Sequence, residues 1–199
     1  MPSGRIELGA PALLVIFFII AAITALVCLI TKKNVTRSIF TALMAMYLIV
    51  AASLTVFPIY IRCGDIAARF AENGWRITDC IVLIPFHDGI STDDLLNVIM
   101  TIPFGFLLPF VKKKATWRTA LIAGAVLGVV IELLQLALAA IQGFSFRYVD
   151  VSDVICNTAG TMIGWLIAAA FICFVQKRKC SVINEKSLYS YITQRCVKK

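Results

Sequence analysis

The sequence predicts an all-α, polytopic membrane protein with about five transmembrane helices, the N-terminus outside and the C-terminus cytoplasmic. Three observations carry this prediction. The 199 residues are 60% hydrophobic and only 15% charged, whereas soluble domains run at roughly 45–50% apolar and about 25% charged. The mean hydropathy is +0.91, and the apolar residues fall into runs long enough for a hydrocarbon core of about 30 Å, which takes about 20 helical residues to cross. The net charge of +8 comes from lysines and arginines clustered between alternate runs. It therefore reads as a topology signal rather than affinity for nucleic acid.

Five runs qualify as spans: Ala10–Ile30, Ser38–Ile61, Asp94–Val111, Thr119–Ile141 and Val154–Val175. The first exceeds a signal-peptide apolar region and is read as a span; Ala25-Leu26-Val27 before Cys28 does not resemble a lipoprotein cleavage site. The third carries Pro103 and Pro109, which free the carbonyls of Ile99 and Gly105 for neighbouring polar groups. Lys32–Arg37, Lys112–Arg118 and Lys177–Lys199 hold fourteen of the nineteen basic residues and one acid, Glu185. The segment Arg62–Asp93 has three arginines against a larger number of acids, and Gln142–Asp153 has one arginine and two acids. Odd span number and charge bias agree on the orientation. Residues 1–176 form one transmembrane domain, and 177–199 a basic cytoplasmic tail that anchors the topology or touches anionic lipid.

In the long outer loop, Ile66 and Phe70 lie one turn apart with Trp75 beyond, the pattern of a short interfacial helix. The apolar stretch that follows, Ile77–Phe86, is too short to span and reads as a re-entrant or surface-dipping segment. The seven cysteines (28, 63, 80, 156, 173, 180, 196) show no metal-ligand spacing. Cys63 and Cys80 share the outer loop, which makes them the one candidate disulfide.

Residues three and four apart share a helix face. Gly124, Gly128, Glu132 and Gln135 do so in the fourth span. Asp150, Asp153, Asn157, Gly160 and Gly164 do so in the fifth, and Asn97, Thr101, Gly105 and Leu108 in the third. Each helix thus carries polar residues towards the outside and small ones beneath. The glycines Gly105, Gly124, Gly128, Gly160 and Gly164 read as helix-packing positions. The polar residues need another account, because a charged side chain at mid-membrane costs roughly 2.5–3.5 kcal/mol. Glu132 must therefore face protein or water.

Arg147 is its nearest candidate cation, and two readings stand. Arg147 bridges Glu132, Asp150 or Asp153 as a clamp between helices, or it sits in an outward-facing polar cavity ready for a phosphate or carboxylate. The expected ligand-binding set is Asn97, Glu132, Gln135, Arg147, Asp150, Asp153 and Asn157. Glu132, Asp150 and Asp153 are also weak candidates for a divalent cation; otherwise no cofactor is expected. Glu132, Asp153 and the lone His87 are the candidates for acid–base chemistry. There is no nucleotide-binding glycine loop, zinc motif or Ser–His–Asp order.

The segments IVLIPF (Ile81–Phe86), LLNVIMTIPFGFLLP (Leu95–Pro109), IELLQ (Ile131–Gln135) and RYVDVSDVICNTAGTMIG (Arg147–Gly164) resemble, in order, the motifs of the VanZ-like family. Val82 stands where that family usually has asparagine, and Thr101 where an aromatic is common. The resemblance implies a multi-pass protein of a bacterial, typically Gram-positive, plasma membrane. It also implies a link to resistance against teicoplanin-type glycopeptide and lipoglycopeptide antibiotics, with no established chemistry. The first functional expectation is a resistance factor whose outward polar site engages an amphiphilic surface molecule: membrane lipid, the antibiotic, or a lipid-linked cell-wall precursor. The rivals are an intramembrane enzyme acting on a lipid-linked phosphate and a small transporter; the lack of inverted repeats argues against the latter.

Overall fold

A computed structural model describes residues 4–7, 9–31, 35–61, 64–177 and 191–192. Its six α-helices among these residues are α1 (Ala10–Thr31), α2 (Val35–Thr55), α3 (Gly64–Glu72), α4 (Thr92–Val111), α5 (Trp117–Gln142) and α6 (Val151–Lys177). Four of them, α2, α4, α5 and α6, are long and apolar enough to cross a membrane. Helix α1 runs 22 residues, with a shorter apolar stretch at Pro11–Thr24. The chain is an all-α, multi-pass membrane protein. Many large apolar side chains on these helices are exposed, Phe18 and Ile122 among them, as expected where the solvent is lipid.

Helices α4 and α6 form the tightest pair, α5 packs on α6, α2 on α4, and α1 on α2. The closeness of α4 and α6 has a specific cause. A Cβ at Gly105 would fall 2.0 Å from the Thr161 carbonyl oxygen, one at Gly160 2.1 Å from that of Val98, and one at Gly164 2.0 Å from that of Ile102. Backbone therefore meets backbone, and only glycine fits. Gly124 and Gly128 play the same part for α5, facing Thr161 and Val154 of α6.

Four short strands lie at one end of the bundle. β1 (Gly4–Ile6) pairs antiparallel with β2 (Ile59–Ile61), and β3 (Ile81–Val82) pairs parallel with β4 (Val149–Asp150). These pairings put the N-terminal segment, the α2–α4 connection and the α5–α6 loop into one layer, the end that the charge bias places outside. The opposite end holds the Lys112–Lys114 turn. There Tyr191 and Ile192 are buried with Phe110, Ala168 and Ile172, and the Tyr191 hydroxyl donates to the Phe110 carbonyl. That part of the tail is docked onto the helices rather than free.

Two expectations are corrected. The second span ends at Thr55, not Ile61, because Pro58 bars helix at Phe57 and the chain turns into β2. The apolar stretch expected to dip into the surface is a 3₁₀ turn (Ile77–Cys80) followed by β3, with Leu83 and Ile84 exposed beyond it. Arg147, Asp150 and Asp153 do not share a helix, since α6 starts only at Val151. The short helix α3 does form, and Phe70 packs edge-on against Trp75 and beside Phe144 and Phe146.

Candidate functional site

The polar residues of α4, α5 and α6 meet beneath the outer layer. Ser91 opens α4 with a reciprocal cap: its hydroxyl accepts the Asp94 N–H, while the Asp94 carboxylate accepts the Ser91 N–H at 2.7 Å. The other Asp94 oxygen lies 3.8 Å from the Cys156 thiol. At the start of α6, Asp150 accepts the Ser152 N–H at 2.7 Å, the arrangement of an N-cap. The Ser152 hydroxyl, 1% exposed, accepts the Phe86 N–H at 2.8 Å. It thereby fixes a turn in which Phe86 has a φ of 53°, outside the range bulky residues favour. One turn further along α4, Asn97 faces the Asp153 carboxylate. A hydroxyl from α2 supports the region of the helix prolines, with Tyr47 donating to the Met100 carbonyl at 2.9 Å.

Glu132 and Gln135 lie deeper, one turn apart on α5. Glu132 is 6% exposed and Gln135 9%. One Glu132 oxygen, Oε2, accepts the Asp150 N–H at 2.9 Å. Gln135 Nε2 donates to the Thr55 carbonyl at 3.0 Å, which settles which way the amide points. Glu132 Oε1 and Gln135 Oε1 are then buried without a hydrogen-bond partner, as are both side-chain polar atoms of Asn157. Asn157, 1% exposed, sits between α5 and α6 beneath Gly128.

Arg147 does not clamp the carboxylates. Its Nη2 donates to the carbonyls of Leu54 and Phe57, at 3.1 and 3.2 Å. Helix α2 ends there with carbonyls that Pro58 prevents the chain from satisfying, and Gln135 and Arg147 supply the missing donors. His87 is paired with Asp88 at 2.9 Å, and its side chain is 61% exposed. Among the described residues no group of three or more His, Cys, Asp or Glu is placed to hold a metal ion, so Glu132, Asp150 and Asp153 form no such set.

Of the expected ligand-binding residues, Asn97, Glu132, Gln135, Arg147, Asp150 and Asp153 line a recess of about 1320 Å³, and Asn157 is not in its lining. Six carboxylates line it, those of Asp88, Asp93, Asp94, Glu132, Asp150 and Asp153, against Arg147 and His87. Its other walls are apolar, with Leu54, Leu96, Ile99, Met100 and Leu138. Helices α2 and α5 barely touch, so the recess lies between α2, α4 and α5 with α6 behind. A smaller cavity of about 330 Å³ adjoins it at Ser145–Tyr148 and is lined further by Phe70, Trp75 and Cys80. Cys80 is a free thiol donating to the Ile77 carbonyl at 3.1 Å; Cys63 lies outside the described residues.

Sequence spacing alone missed Asp94, Ser152 and Thr55. The first was signalled by Ser91-x-x-Asp94, a capping-box spacing ahead of an apolar run. Nothing local marks Ser152 or the Thr55 carbonyl, whose partners are 66 and 80 residues away.

The fold and the recess define a class: a polytopic helical membrane protein with a buried, acid-lined polar site at one end of its bundle. The family comparison places it further. A family model described as VanZ/LLP1 matches residues 13–173, most of the chain, and the chain belongs to that family. It is thus a VanZ-like membrane protein, of a family linked to antibiotic resistance. No curated protein and no solved structure gives a match.

Proposed function

We propose that this protein modulates resistance to glycopeptide and lipoglycopeptide antibiotics of the teicoplanin type by holding the polar end of an amphiphilic surface molecule in the outer recess. The observation that carries the reading is the pair of buried, unpartnered acceptors, Glu132 Oε1 and Gln135 Oε1, on the wall of a cavity with apolar flanks. A buried polar atom left unpaired costs about 1–3 kcal/mol, a cost that a ligand supplying donors removes. The size of the recess supports an amphiphile too, since about 1320 Å³ exceeds the roughly 300–1,000 Å³ of ordinary small-molecule pockets. The membrane in question is the bacterial plasma membrane.

The test is teicoplanin susceptibility of a sensitive Gram-positive host expressing the wild type, Glu132→Gln or His87→Ala at matched membrane abundance. Glu132→Gln keeps an acceptor for the Asp150 N–H but puts a donor where Oε1 stood, and tolerance is expected to fall to the vector level. His87→Ala is expected to leave tolerance unchanged, whereas acid–base turnover through that imidazole requires its loss. Undiminished tolerance in Glu132→Gln removes the recess from the function.

A further inference from the structure

The chemistry of the ligand can be narrowed by asking which polar atoms of the recess already have work. Asp94 is engaged by the Ser91 cap, Asp150 caps α6, and Asp153 faces Asn97. Arg147 is spent on the end of α2, and His87 on Asp88. Asp93 is exposed, so the buried recess atoms left without a partner are Glu132 Oε1 and Gln135 Oε1, both on residues more than nine-tenths buried. Their orientation is not free to change. Oε2 of Glu132 is tied to the Asp150 N–H, and the Gln135 amide is locked by the Thr55 carbonyl, which takes only a donor. The site therefore offers two fixed acceptors one helical turn apart, about 5–6 Å between their Cβ atoms, and a field dominated by carboxylates.

We infer that Glu132 and Gln135 form a seat for a primary ammonium group carried by an amphiphile. The proposal rests on the recess being the binding site and adds the head-group chemistry. An ammonium brings three N–H donors and one positive charge. It satisfies both acceptors at once and is attracted by the surrounding acids. A phosphate or carboxylate head group brings only further acceptors. A quaternary ammonium brings the charge but no donor, and so leaves both oxygens unpaired.

The experiment is native mass spectrometry of the full chain in mild detergent, titrated with lipids of identical acyl chains. The head groups are phosphatidylethanolamine, its N-acetylated form, phosphatidylcholine and phosphatidylglycerol. Retention of phosphatidylethanolamine is expected to exceed each of the others by about tenfold or more, the scale of one charge-assisted hydrogen bond. Glu132→Gln is expected to erase the preference. The head-group series uses wild-type protein, so its outcome does not depend on a variant folding. Free ethanolamine separates the sources: displacement of the lipid means that the amine alone is recognised, and failure to displace means that the acyl chains hold it there. Equal retention of the four lipids, or a preference for phosphatidylglycerol, overturns the ammonium seat. Should that happen while Glu132→Gln still abolishes antibiotic tolerance, the recess keeps its function and only the head-group assignment falls.

Discussion

Cys80 shows how far burial alone sets the behaviour of a side chain on the outer layer. It is 3% exposed, and burial pushes its thiol above the ordinary range, with Asp79 adding to the shift and its backbone hydrogen bond opposing it. Burial disfavours the charged form, so the thiolate, which is the nucleophile, is scarce even near the usual cysteine pKa of about 8.5. The expected outcome is that a membrane-impermeant maleimide leaves Cys80 unmodified in the folded protein at a pH of about 8 and modifies it after unfolding. Peptide mass mapping reads both states. Rapid labelling of the folded protein would show that the packing of Phe70, Trp75 and Tyr148 around the smaller cavity is not as described. Refusal to label after unfolding, reversed by a reductant, would establish a disulfide at Cys80 instead of a free thiol. Arg147 teaches the same lesson about context. By composition it is the cation next to three acids, yet carbonyls that cannot be capped by their own chain are the stronger claim on a guanidinium.

Among the elements, the α4–α6 contact is the one that a single methyl group should break. At Gly164 the added carbon would lie 2.0 Å from the Ile102 carbonyl oxygen and 2.8 Å from the Phe106 nitrogen, and neither is a side chain that can swing aside. Overpacking costs typically 1–3 kcal/mol, and with backbone on both sides Gly164→Ala is expected at the upper end, about 3 kcal/mol. Gly64 is the control, with nothing within 4 Å of its would-be Cβ. There alanine is expected to be neutral or slightly stabilising. Thermal unfolding in detergent distinguishes the two, and equal midpoints would mean that α4 and α6 are not in backbone contact. The positions involved are legible in the sequence because a helix has a fixed period. The buried residues of α5 include Gly124, Gly128, Glu132 and Gln135, which are the ones that share a face by spacing. What spacing does not encode is pairing at a distance. β3 finds β4, and Phe86 finds Ser152, across more than sixty residues, and nothing within the Ile77–Phe86 stretch announces either partner. The end of α2 escapes a reading by hydropathy for a related reason: an apolar run continues through Pro58 to Ile61, while helix cannot.

For the whole molecule, function depends on which end of the bundle faces out. The two strand pairs tie the N-terminal segment, the long acidic loop and the α5–α6 loop to the end that holds the recess. The Lys112–Lys114 turn lies at the other end, and its lysines are exposed. Cytoplasmic loops carry the excess of lysine and arginine, so the recess is expected to open outwards, within reach of an antibiotic or an outer-leaflet head group. Single introduced cysteines test this directly. Ile90→Cys replaces a side chain that is 77% exposed in the loop beside the recess, and Lys113→Cys reports the opposite end. In intact cells, with the native cysteines replaced by serine, an impermeant maleimide is expected to label Ile90→Cys and to reach Lys113→Cys only after permeabilisation. The reverse pattern would turn the recess towards the cytoplasm. A surface-acting drug would then have no direct path to Glu132, and any effect of Glu132→Gln on tolerance would have to be carried by a molecule of the inner leaflet.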